Sequence, residues 1–175
     1  MKALVRFTAL LLAAAAPLAC AAGTDGPPAP RKPPAFKVPK GWKAEKAGPI
    51  ASARFRIGEG KNAASVAITA VTGDGGGIAA NVNRWRREVG LVRLEDEDAR
   101  KAVRPAKVSG LKGHALDVTG NGTGDEPARR LVVVFVRRGD HTWFFKLSGP
   151  AAVVKEQKAP FEQFLKSVRF EPPKK

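Results

Sequence analysis

Residues 131–136 read Leu-Val-Val-Val-Phe-Val, apolar at every position. A strand wet on one face alternates apolar and polar side chains, whereas a strand apolar throughout needs cover on both faces. Past a Gly139-Asp140 turn, Trp143, Phe145 and Leu147 alternate with Thr142, Phe144 and Lys146. Phe144 puts a ring where a polar residue would otherwise stand. These two strands are expected to be central in their sheet and covered on both faces.

The remaining pattern supplies the layers. Ala53, Phe55 and Ile57 alternate with Ser52, Arg54 and Arg56, which predicts a half-buried strand. Residues 58–60 turn the chain into a β-rich run over 65–72, so the two strands are expected as a hairpin. Residues 73–77, Gly-Asp-Gly-Gly-Gly, break the strand. Ile78, Val82, Trp85 and Val89 then fall on one helical stripe, and Gly90 suits a left-handed helix end. A second short helix is expected over 95–103. Its first turn holds Glu95, Asp96, Glu97 and Asp98, and Arg100, Lys101 and Arg104 follow, an order that complements the helix dipole. A calcium loop would need regularly spaced oxygens and a turn glycine, so the acidic run reads as a helix start. A strand follows over 114–119 and a polar turn over 121–126. Ser148 is expected to cap a last helix beginning near Pro150, kinked or restarted at Pro160. Phe161, Phe164, Leu165 and Val168 form its core stripe, with Phe170 in a short edge strand. The expected fold class is α+β, a mainly antiparallel sheet flanked by helices.

The ends read differently. Lys2 and Arg6 precede an apolar run over 7–19, and small residues follow through Ala22, so residues 1–22 read as a secretory signal peptide. The run is shorter than the roughly 20 residues that cross a bilayer. Cys20, the sole cysteine, excludes an intramolecular disulfide. It stands where a lipoprotein signal places its lipidated cysteine, although Pro17 occupies the position that usually holds leucine. Cleavage after Ala21 or Ala22 fits as well, and both readings stay open. Residues 23–38 are a Pro-rich linker, 39–170 a single domain and 171–175 a basic tail. The expected location is outside the cytoplasm of a bacterium, in the periplasm or lipid-anchored to the cell envelope.

With 31 Lys+Arg against 16 Asp+Glu, the formal net charge is +15. Such a chain is drawn to anionic surfaces. The charges are dispersed, and no ladder of aromatic and basic residues suggests a specific nucleic-acid platform. The catalytic inventory is thin. His114 and His141 lack zinc-site spacing, no Gly-x-Ser-x-Gly elbow exists, and tyrosine is absent. No catalytic residue, metal or cofactor is expected. Asp117 near His114 and Asp140 beside His141 are histidine–carboxylate neighbours of a kind more often found in turns and on surfaces. The most distinctive stretch is 73–91. A glycine-rich loop entering a helix suits an anion, but this one lacks the Gly-Lys-Ser/Thr of a phosphate loop, and Asp74 repels anions. Asn81 and Asn83 are poor mid-helix residues. They either hold neighbouring loops or bind a polar ligand with Arg84. The candidate contact residues are Asp74, Gly75, Gly76, Asn81, Asn83, Arg84 and Arg87.

The opening Gly41-Trp42, the early hairpin, the helix, the antiparallel strands and the closing Phe-x-x-Phe-Leu-x-Ser-Val-x-Phe of residues 161–170 together resemble the PsbP-like superfamily. The resemblance spans about residues 39–170 and implies an α/β/α sandwich. It also implies a binding or assembly module rather than an enzyme, and it carries over no site residue. The expected function is a non-catalytic cell-envelope module with a basic surface, whose partner is an envelope protein or an anionic envelope surface. A small-ligand receptor or enzyme using the 73–87 loop-helix, and a purely structural lipoprotein, are the alternatives.

Overall fold

The computed structural model describes residues 31–121 and 127–171. The expected signal segment, Cys20, most of the Pro-rich linker, the tip of the 121–126 turn and nearly all of the basic tail lie outside these residues.

Among the described residues, seven strands form one antiparallel sheet: β1 (Trp42–Glu45), β2 (Ala51–Ile57), β3 (Ala64–Thr72), β4 (Arg104–Val108), β5 (Leu111–Thr119), β6 (Arg129–Arg138) and β7 (His141–Pro150). Their order across the sheet is β1-β2-β3-β7-β6-β5-β4. Two meanders therefore meet at the β3–β7 pair. Between them run α1 (Ile78–Glu88) and α2 (Asp96–Lys101), which carry the chain from the middle of the sheet to its far edge. The last helix, α3 (Ala151–Ser167), covers the opposite face. This is the α+β sandwich expected from the sequence.

The two cores follow strand parity. Val132, Val134 and Val136 of β6 face α3, where they meet Val154, Phe161, Phe164 and Leu165. Leu131, Val133 and Phe135 face α1 and meet Val82, Trp85 and Val89. Phe144 of β7 belongs to the α1 core while Phe145 and Leu147 belong to the α3 core. Each such side chain taken fully from water contributes about 1.5–3 kcal/mol, which is why the all-apolar run lies at the centre. Gly90, at φ +78°, ends α1 in the left-handed conformation, and the Leu91 N–H closes back onto the Arg86 carbonyl at 2.9 Å.

Several elements depart from expectation. β1 and β4 are edge strands with little sequence signal. β1 buries only Trp42, and Pro105 sits inside β4, which an edge tolerates because one side of the strand needs no partner. Ser148 does not cap α3: it stays in β7 with its hydroxyl 3.3 Å from that of Ser65, and Pro150 takes the cap position. α3 continues as one helix through Pro160. Instead of a strand at Phe170, a single bridge joins Arg169 to Ala35, with N–H···O distances of 3.0 and 2.8 Å. Residues 34–37, expected in the linker, thus lie on the domain. Phe36 packs on Phe55 and Phe164 at centroid distances of 5.7 and 5.3 Å. Burying that ring outweighs the extended, solvated state that the prolines favour.

Candidate functional site

The glycine-rich loop at 73–77 is pinned at its start. The Gly73 N–H donates to the Asp140 carbonyl at 2.7 Å, and the Thr142 hydroxyl donates to the Gly73 carbonyl at 2.6 Å. Asp74 turns inward on the loop and accepts the Gly76 N–H at 2.9 Å. Gly75 has φ +69°, and a Cβ there would lie 2.7 Å from Cζ of Phe144, so the backbone rests directly on the ring.

The two unusual asparagines serve this architecture. Asn81, 1% exposed, donates to the carbonyls of Gly75 and Gly77 at 2.9 and 2.8 Å and accepts from Nη2 of Arg84. Asn83 binds both backbone groups of Leu94, at 2.9 and 3.0 Å, and so ties α1 to the start of α2. Their polar groups are spent on backbone and, for Oδ1 of Asn81, on the Arg84 side chain. Of Asn81, Asn83 and Arg84, only Arg84 lines the open cleft beside α1.

That cleft arises because α1 and α2 cover β5, β6 and β7 but leave the same face of β2 and most of β3 bare. The groove beside α1 has a volume of about 470 Å³. Its floor is Ala67, Thr69, Val133 and Phe144, and Trp85 forms the helix wall. At the rim, Lys146 and Glu88 pair at 2.7 Å, and Arg84 lies 5.8 Å above the Trp85 ring. Ile50, an exposed apolar residue, stands on the far bank. Gly75 and Gly76 line this groove. Asp74 and Gly76 line a second cleft at the other end of the loop, and Arg87 lines neither. Sequence reasoning missed Lys146, Glu88, Thr69 and Ile50. Thr69 and Lys146 are single polar residues on β3 and β7, Glu88 lies on α1 and Ile50 just before β2, and only the lateral placement of α1 brings the four to one groove.

The histidine–carboxylate neighbours separate. His114 faces the α1 layer, beside Phe135 at 5.4 Å, whereas Asp117 faces α3 and is bound by Arg130 and Lys158. Burial raises the Asp117 pKa, but the hydrogen bonds and charges of Arg130 and Lys158 outweigh it and hold the carboxyl at about 2. His141 does bond to Asp140. That contact holds the Asp140 carboxyl below the usual range, and it braces the turn on which Gly73 rests. No group of three His, Cys, Asp or Glu suited to a metal occurs among the described residues, nor a helix long and apolar enough to cross a membrane.

A seven-stranded antiparallel sheet with one helix on one face and two on the other is an α+β sandwich. The chain is similar to the solution structure of cyanobacterial PsbP (CyanoP) from Synechocystis sp. PCC 6803, with a TM-score of 0.50 and 17% identity over 78% of this chain and 85% of that one. It is also similar to LpqN, involved in cell envelope biogenesis of Mycobacterium tuberculosis, with a TM-score of 0.46 and 12% identity over 75% of this chain and 79% of that one. A protein of Bacteroides thetaiotaomicron matches with a TM-score of 0.49 and 10% identity over 79% of this chain, which spans only 45% of that protein's length. At such identities the likeness concerns the fold. No family model matches the chain, and no curated protein matches it.

Proposed function

We propose that this protein is a non-catalytic binding or assembly module of the bacterial cell envelope, and that the groove between α1 and the uncovered strands is its contact surface. The observation that carries the reading is the asymmetric cover of the sheet. Trp85 and Phe144 wall an apolar floor that no part of the described chain fills, while Arg84, Lys146 and Glu88 ring it with charge. Apolar floors with polar rims are how binding surfaces are commonly built. The signal-type start of the sequence supports an envelope location, and its excess of basic residues suits an anionic surface or an acidic partner.

The groove is tested by placing a photo-reactive residue at Thr69 in the full chain, in envelope extract, with a second such chain labelled at Lys155 on α3 as the comparison. Capture of one envelope component from Thr69 and not from Lys155, abolished when Arg84 and Lys146 are changed to alanine, is the expected result. Equal capture from both layers would remove the groove from consideration.

A further inference from the structure

The second cleft holds an arrangement that stability alone does not explain. β4 and β5 pair with Lys107 directly opposite Lys112. Like charges facing each other across a ladder are destabilising. Both lysines lie on the α2 side of the sheet, because Ala106 and Val108 next to Lys107 turn to the α3 core. Arg137, on the adjacent strand β6, lines the same cleft as Lys112, and Arg100 reaches it from α2. His114 continues the row along β5. No carboxylate within salt-bridge distance neutralises Lys107, Lys112 or Arg137 among the described residues. Arg137 spends only its Nε, on the Gly139 carbonyl at 3.3 Å. Two carboxylates do line the cleft, and both are engaged. Asp74 accepts the Gly76 N–H, and Asp96 is held by Arg93 at 2.8 Å and lies 4.0 Å from Arg100.

We propose that this cleft binds a phosphate group carried on a small organic moiety. Among the described residues, Lys112 of β5 and Arg137 of β6 line the cleft with no carboxylate of their own, Arg100 of α2 shares Asp96 with Arg93, and Lys107 of β4 stands beside Lys112 in the adjoining hollow. A tetrahedral dianion takes donors from several directions at once, whereas a single carboxylate is satisfied by one guanidinium fork. The volume of about 480 Å³ far exceeds a bare phosphate, and Phe135, Ile78 and the His114 ring give the rest of the ligand an apolar wall. The cross-strand lysine repulsion is tolerated because the ligand's charge relieves it. The site shares only Gly76 with the groove beside α1 and stands whether or not that groove binds a partner.

The probes are glycerol phosphate followed by amide NMR, and vesicles of phosphatidylglycerol in phosphatidylcholine followed by sedimentation. Glycerol phosphate is expected to shift the amides of Gly113, His114 and Ile78. Binding is expected to weaken at least about tenfold in the Lys107→Gln/Lys112→Gln double variant and to change less than about twofold in Lys155→Gln/Lys166→Gln, which removes the same charge from α3. Because the first variant removes a repulsion, its melting temperature stays level or rises, so loss of binding cannot be laid to unfolding. Vesicle binding that is lost in the same double variant identifies a lipid headgroup as the source. Vesicle binding that is absent or unchanged identifies a free phosphate ester. Shifts scattered over all basic surfaces, or equal weakening in the α3 control, would overturn the site.

Discussion

Arg130 grips Asp117 with both arms of its guanidinium fork, Nε to Oδ1 and Nη2 to Oδ2, each at 2.8 Å. Lys158 of α3 adds a bond to Oδ2 at 2.8 Å, so one carboxylate joins β5, β6 and the helix that covers them. Asp117 is only 13% exposed in its side chain and Arg130 20%, which spares the cluster most solvent screening.

The acid sensitivity of the fold follows from this cluster. The folded pKa of Asp117 is about 2 against an ordinary value of 3.8. A depressed pKa contributes stability that is present above the ordinary value and is lost as pH falls through the folded one. The contribution is about 2 kcal/mol. Urea unfolding at pH 5, 3 and 2 should show the gap between the native chain and Asp117→Asn closing across that window. Parallel curves would contradict the assignment.

Asn81→Ala orphans the Gly75 carbonyl and leaves the Gly77 carbonyl only the residue-81 backbone N–H at 3.3 Å, and it is expected to cost about 1–3 kcal/mol. Asn81→Asp should cost more than alanine, since a carboxylate would face two carbonyl oxygens with no donor to offer them. Hydrogen exchange should quicken first at residues 75–81, and chemical denaturation should rank the variants. An aspartate variant as stable as the native chain would show that those two bonds do not hold the loop.

Gly75→Ala combines an unfavourable positive φ with a Cβ driven into Phe144. We expect a loss of about 1–3 kcal/mol, with Trp85 fluorescence altered because its ring lies 5.8 Å from that of Phe144. Gly76→Ala, where nothing lies within 4 Å of the added carbon, bears only the backbone cost and should be milder. Thermal melts of the pair measure the difference.

Trp42 anchors the other layer. Its indole N–H donates to Oε1 of Gln157 at 3.0 Å while its ring meets Phe55, Phe161 and Phe164. Trp42→Phe should keep most of the ring contacts and lose about 1 kcal/mol, whereas Trp42→Ala should lose about 3–5 kcal/mol. Equal effects in denaturant titrations would mean that the ring contributes little.

Periodicity made the two-sided cover of the central strands legible. The unbroken run 131–136, the misplaced ring of Phe144 and the stripe through Val82 and Trp85 demand burial on two faces, and that requirement is local in the chain. The glycine-to-helix turn and the left-handed end at Gly90 were equally legible, because a positive φ leaves its mark in residue type. Edge strands were not. β1 buries a single side chain and β4 contains a proline, so neither carries the period that marks a strand.

The sites were decided in three dimensions. Asn81 and Asn83 stood out in sequence as misfits, yet whether they serve a ligand or a loop depends on where the Gly75 and Leu94 backbones arrive. The groove exists because α1 lies over β5–β7 rather than over β2, and Lys107 and Lys112 become an opposed pair only through strand register. A sequence records what each residue prefers to bury. It does not record which neighbours, distant along the chain, are brought to share a surface.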